Sequence, residues 1–170
     1  MTKKQLYIGI GAAVLAGTLI VIYYNRKRIR KKLGSAEDAA EKWIKPLLGK
    51  ITSKFGYRTD PKTGKQNEFH NGIDLAVPSG TSVKSPMDGI VEAVNSGGPG
   101  GNELIVKHSN GYKTGYAHLT KALVKKGDKI QQGQLIALTG NTGKSTGPHL
   151  HFTLTDPSGA KVDPQKLIYA

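Results

Sequence analysis

The chain has 170 residues, room for one domain with a real core and little more. It has no cysteine, which excludes disulfides and thiolate metal sites. Its formal charge of +13 invites a nucleic-acid reading, but residues 1–34 carry eight Lys or Arg and no acid, so most of the excess flanks an apolar segment. No aromatic-rich binding strand accompanies that basic run, and no nucleic-acid partner is expected.

After a short N-terminal tail (1–5), residues Leu6 to Tyr24 contain no charge and consist mostly of Ile, Leu, Val, Ala and Gly. A bilayer span needs about 20 apolar residues, so 6–24 is expected to form a transmembrane helix. Tyr23 and Tyr24 close it, where aromatic rings favour the headgroup level. No small-residue cleavage site follows, so the segment reads as an uncleaved anchor rather than a signal peptide. Arg26, Lys27, Arg28, Arg30, Lys31 and Lys32 come next. By the positive-inside rule they favour a cytoplasmic C-terminal part. The other use of the run 26–32 is to grip anionic lipid heads, at about 1 kcal/mol per basic residue. Residues 25–48 then read as the juxtamembrane run and a linker. Ser35 is placed to cap a short helix through Ile44, with Glu37 and Asp38 in its first turn and Pro46 ending it.

A globular domain is expected over 49–170. Ile51 to Arg58 reads as an irregular strand and Asp60 to Gly64 as a turn cluster. Short strands recur between turn signals at Thr81–Lys84, Gly89–Val94, Leu104–His108, Tyr112–Leu119, Gln134–Leu138 and His149–Thr155. That spacing predicts an all-β, antiparallel barrel-sandwich domain. Asn110-Gly111 carries a hairpin signal. The loop Gly97-Gly98-Pro99-Gly100-Gly101 is either a groove wall or a flexible tip.

The chemistry-bearing residues are five histidines and one aspartate. In a strand, residues two apart share a face, so His149 and His151 project together while Leu150 and Phe152 face the other way. Two imidazoles on one face suit metal binding or proton transfer; a solvated pair on an exposed strand is the plainer alternative. His70 and Asp74 are four apart, and in an extended segment share a face. Both are good zinc ligands, although a loop histidine and a turn aspartate would read the same way. His118 ends an apolar strand. His108 precedes the hairpin turn and reads as structural or exposed.

Four blocks in order carry a resemblance. They are Phe55-Gly56-Tyr57-Arg58; His70-Asn71-Gly72-Ile73-Asp74-Leu75 with Val77-Pro78-Ser79-Gly80-Thr81; Tyr116-Ala117-His118-Leu119; and Gly140 through Phe152. With these the chain resembles the lysostaphin-type (LytM-type) zinc endopeptidases of peptidoglycan, over roughly residues 49–164. The resemblance implies Zn2+ held by His70, Asp74 and His151, with His118 and His149 as catalytic histidines and the fourth metal position left for water. It implies a peptidoglycan peptide substrate and an open groove, which Pro148 at a strand start would suit. Gly72 and Gly147 are expected to let backbone pass close to the metal. With an anchor in front, the catalytic domain is expected to face peptidoglycan from a bacterial envelope. The alternative is the membrane of a lipid-containing phage virion, where it would serve as a lytic enzyme at host entry. A different reading starts from Gly127 to Ile136, which resembles hairpins of biotinyl- and lipoyl-type barrel-sandwich domains: a non-catalytic cell-wall binding or assembly module. Such a module has no need of the histidines.

Overall fold

The computed structural model describes residues 42–60 and 63–169. The expected transmembrane helix over 6–24, the basic run and all but the end of the linker helix lie outside the described residues. The chain divides after Lys42, and the fold is that of the unit Trp43–Ala170.

The linker helix does not extend to Ile44: residues 42–45 have no regular structure. Instead this segment lies along the domain. Ile44 N–H donates to Pro86 O at 3.1 Å, and Pro46 O accepts from Lys84 N at 2.8 Å. The Trp43 ring meets His108 and Tyr112 edge-on at 5.2 and 5.8 Å between centroids, and Leu47 is buried. Backbone groups of the domain satisfy this stretch from outside, so it has no need of a helix's own ladder. The packed unit therefore begins ahead of Gly49.

All strand pairings are antiparallel. The expected irregular strand over 51–58 is two strands, β1 (Lys50–Ser53) and β2 (Gly56–Arg58), parted at Lys54 and Phe55. Gly56, at φ 112°, takes a conformation other residues avoid. There follow β3 (Glu68–His70), β4 (Ile73–Ala76), β5 (Ser82–Lys84), β6 (Gly89–Asn95), β7 (Asn102–His108) and β8 (Lys113–Leu119). The chain closes with β9 (Lys121–Ala122), β10 (Lys129–Ile130), β11 (Leu135–Leu138), β12 (His149–Thr155) and β13 (Lys161–Val162). One large sheet runs β1-β4-β12-β8-β7-β6-β10, with β13 also paired to β12. A small sheet, β5-β11-β9, covers it, and β2 and β3 form a separate hairpin.

The alternation along β12 explains this architecture. Leu150, Phe152 and Leu154 are fully buried, while His149 and His151 are partly open. Opposite residues in the antiparallel register share a face. Leu150 thus pairs with Leu75, Phe152 with Ile73 and Tyr116, and together they make the inner face. Val83, Ile136 and Ala137 of the small sheet close the same apolar cluster. At about 1.5–3 kcal/mol for each large side chain removed from water, this core fixes the register. The register then dictates what stands on the outer face.

Candidate active site

Three neighbouring strands, β4, β12 and β8, present the outer-face groups, and β3 adds one from the side. His151 is paired with Asp74 across β12–β4 and with Ala117 across β12–β8. His118 follows at the end of β8, and His149 lies two residues before His151. All five residues singled out in the sequence line one groove of about 330 Å³. His108 does not join them. It is buried elsewhere, where Nδ1–H donates to Asp88 O at 3.0 Å and Nε2 meets Thr114 Oγ1 at 2.8 Å.

Within the groove, one ligand atom each from His70, Asp74 and His151 lies within 4.8 Å of the others. His151 Nδ1 is 2.8 Å from Asp74 Oδ1 and 3.1 Å from His70 Nε2. His70 Nε2 is 3.2 Å from Asp74 Oδ1. Each imidazole is oriented from behind. A carbonyl only accepts, so His70 Nδ1–H donates to Lys54 O at 2.8 Å, and this ring carries its proton away from the cluster. His151 Nε2–H donates to Asn71 Oδ1 at 3.0 Å. Both rings therefore turn a lone pair toward a carboxylate oxygen. Three acceptors at such spacing repel one another unless a cation stands among them.

The donor set fits zinc. Bonds of about 2.0–2.1 Å at tetrahedral angles put ligand atoms about 3.3 Å apart, near the separations found here. Two imidazoles, each with an outer hydrogen-bond partner, and one carboxylate are a usual catalytic set. Arg58 Nη2 lies 3.7 Å from the other carboxylate oxygen, Asp74 Oδ2. Burial acts to raise the Asp74 pKa, but when the His151 and His70 rings also carry a proton on the cluster side, their hydrogen bonds and charge outweigh it. The carboxyl is held well below the usual carboxylate range.

His118 and His149 stand beside this cluster as a second pair, with ring centroids 4.7 Å apart. His118 Nδ1–H donates to Thr142 O at 2.8 Å, and His149 Nδ1–H to Gly147 O at 2.8 Å. Each is left with a free Nε2, and that of His149 is 3.7 Å from Asp74 Oδ1. Burial pushes the His118 pKa below the ordinary histidine value, against the hydrogen bond to Thr142, which raises it. His118 also has φ 60°, a left-handed conformation uncommon for a side-chain-bearing residue. Its own N–H donates to Gly100 O at 2.8 Å, which holds the turn.

The glycine-rich loop is a groove wall. A Cβ at Gly143 would overlap the amide of Gly101, so the 97–101 and 140–147 loops pack backbone to backbone. Lys144 N donates to Pro99 O at 2.7 Å, and Asn102 N to Thr142 Oγ1 at 3.0 Å. Gly72 is buried with its Cα against Phe152 O, where a Cβ would overlap that oxygen. Gly147 has open space around its Cα, so the close approach expected there is absent. Its carbonyl orients His149 instead. The groups that sequence reasoning gave no role are mostly of this kind: the carbonyls of Lys54, Thr142 and Gly147. Asn71 and Arg58 lie inside the quoted blocks, but the residues they hold, His151 and Asp74, belong to other blocks.

Residues 68–164 match the model of peptidase family M23. The chain belongs to that family. It is 46% identical over 120 residues to the peptidoglycan DD-endopeptidase ShyA of Vibrio cholerae, an alignment covering 71% of this chain and 28% of that one. Among solved structures, a zinc-containing peptidase from Vibrio cholerae superposes with TM-score 0.63 at 44% identity, covering 72% of this chain and 38% of the other. The catalytic domain of lysostaphin from Staphylococcus simulans gives TM-score 0.64 at 30% identity, covering 72% of this chain and 93% of that domain. This chain thus spans under a third of the length of ShyA, and nearly all of the lysostaphin catalytic domain.

Proposed function

We propose that this protein is a zinc-dependent endopeptidase that hydrolyses peptide cross-links or stem peptides of bacterial peptidoglycan. The observation that carries the reading is the convergence of His70, Asp74 and His151 beside a second histidine pair whose Nδ1 protons are committed elsewhere. The relatives named as peptidoglycan DD-endopeptidases favour a bond between two D-residues.

His70 Nε2, His151 Nδ1 and Asp74 Oδ1 would hold the zinc. Such a metal lowers the pKa of a bound water to around 7 and polarises a carbonyl. The chain's own groups do the rest. Arg58 and Asn71 keep the ligands in place. His118, kept neutral by burial, takes the proton from the attacking water at Nε2 and returns it to the leaving amine. His149 sits next to Asp74, and its free Nε2 accepts a hydrogen bond from the attacking water and so orients it. The open groove admits an extended peptide, and the 97–101 and 140–147 loops form one wall.

Location completes the proposal. The segment 6–24 anchors the protein, the basic run 26–32 lies on anionic lipid, and the domain faces peptidoglycan. Whole domains translocate largely regardless of flank charge, so the basic run does not bar this topology. The bearer of the membrane is either a bacterial envelope or a lipid-containing phage virion. Fractionation of uninfected cells separates the two, since only a bacterial protein is found in their envelopes. For the activity, the full chain should release peptides from purified peptidoglycan, stop on chelation and recover with zinc. Undiminished release by the double variant His70→Ala, Asp74→Ala would refute the reading.

A further inference from the structure

The pairing of β7 with β8 breaks beside the groove. Asn102 stands opposite Leu119 and Leu104 opposite Tyr116, so Glu103 alone faces two residues, Ala117 and His118. This is a β-bulge on β8, and His118 occupies it at φ 60°, in the left-handed region that favours glycine. The consequence is directional. In a regular strand Tyr116 and His118 share a face, and Tyr116 lies in the core. His118 would then point inward with it. With the extra residue, Ala117 and His118 both line the groove, and Leu119, fully buried, returns to the core.

A left-handed conformation is costly for a residue with a Cβ and persists where its surroundings impose it. The Asn102 side chain does so. Its partners are the carbonyl oxygens of Leu119 at 3.1 Å and Thr120 at 2.9 Å. Carbonyls only accept, so both bonds come from the Nδ2 group. Thr142 completes the clamp. Its hydroxyl donates to the same Leu119 O at 2.9 Å and accepts the Asn102 backbone N–H at 3.0 Å. Its carbonyl takes the Nδ1 proton of His118. The two residues thus fix the chain just past His118 and the side of the ring that carries the proton. Neither Asn102 nor Thr142 is among the described residues that line the groove. They act through His118 and not on a substrate.

We propose that Asn102, together with Thr142, is the positioning residue of His118: it holds the bulge that turns this imidazole out of the core and into the groove. This rests on the peptidase reading, in which His118 Nε2 takes the proton of the attacking water, and it names the groups that bring that nitrogen there. Regular pairing of β7 with β8 would keep the histidine and lose its access.

The test uses the full-length, zinc-loaded protein. Asn102→Asp keeps the size of the side chain and removes its N–H donors. Thr142→Val removes the hydroxyl, and Thr142→Ser keeps it. With a synthetic cross-linked peptide, Asn102→Asp and Thr142→Val should each lower kcat about 10²-fold, as misplacement of a reacting group by about 1 Å does. KM and zinc affinity should stay within about threefold of wild type, and Thr142→Ser should keep most of the wild-type kcat. Placement is read separately from cleavage, at a single pH. The amide–Hα coupling of His118 follows its φ, and the nitrogen shifts of its imidazole report which nitrogen carries the proton. Both should leave their wild-type values in Asn102→Asp. A kcat near wild type in Asn102→Asp and Thr142→Val overturns the proposal, as does a loss shared equally by KM or zinc affinity. Thr142→Ser as slow as Thr142→Val overturns it too, and so do an unchanged coupling and unchanged nitrogen shifts in Asn102→Asp. If the wild-type chain cuts no peptide, the peptidase reading fails, and the coupling and nitrogen shifts alone decide the placement.

Discussion

Asn71→Ala is the sharpest probe of how the cluster is held. Its Oδ1 accepts the Nε2 proton of His151 at 3.0 Å, and this is what turns His151 Nδ1 toward Asp74. The contact is exposed, so water replaces it in the variant and fold stability should change by no more than about 0.5 kcal/mol. The ring, however, loses its fixed orientation and tautomer. Loss of such an outer partner costs about 10- to 100-fold in metal affinity, or about 1.4–2.7 kcal/mol. Competition with a chromophoric zinc chelator measures the affinity, and a melting curve of the metal-free protein measures stability. Ser53→Ala is the control. Its Oγ lies 3.4 Å from His70 Nδ1, which already donates to Lys54 O at 2.8 Å, so affinity should fall by less than about threefold. Zinc affinity of Asn71→Ala within about threefold of wild type would refute the argument that the outer partner sets the ligand geometry. An equal loss from Ser53→Ala would refute it too.

Three further outcomes follow from the same geometry. His118→Ala should lower kcat by about 10²- to 10⁴-fold while zinc affinity stays near wild type, because the ring lies outside the ligand set; parallel turnover and chelator competition separate the two. Phe152→Ala removes a fully buried ring behind the site and should cost about 3–5 kcal/mol in urea unfolding. Gly72→Ala forces a methyl group onto Phe152 O and should cost about 1–3 kcal/mol, with zinc affinity falling as β4 is pushed from β12.

Much of this site can be read from the chain because β12 alternates so cleanly. Leu150 and Phe152 must go inward, so His149 and His151 must come out. His118 is less legible. It ends an apolar strand, and nothing in Tyr116-Ala117-His118-Leu119 signals a φ of 60°, which depends on Gly100 O from a distant loop. The orienting carbonyls of Lys54, Thr142 and Gly147 leave no trace, since every residue has a carbonyl and only tertiary placement makes one useful. The break between β1 and β2 shows the same thing: what reads as one irregular strand is parted at Lys54, and there its carbonyl meets His70. At Ile44 and Pro46, where the linker helix is expected to end, the chain instead takes long-range partners at Pro86 and Lys84.

The central place of β12 bears on how the protein is inactivated. The strand is flanked by β4 from His149 to Phe152 and by β8 from His151 onward, so at His151 and Phe152 its backbone is held on both sides. Amides of such doubly paired core strands exchange with solvent only through global opening. His151, a ligand in the proposed zinc site, therefore has no local route out of the cluster, unlike a residue carried on a mobile loop. Zinc release on heating should coincide with cooperative unfolding rather than precede it, and hydrogen exchange at Leu150 to Phe152 should track the same opening.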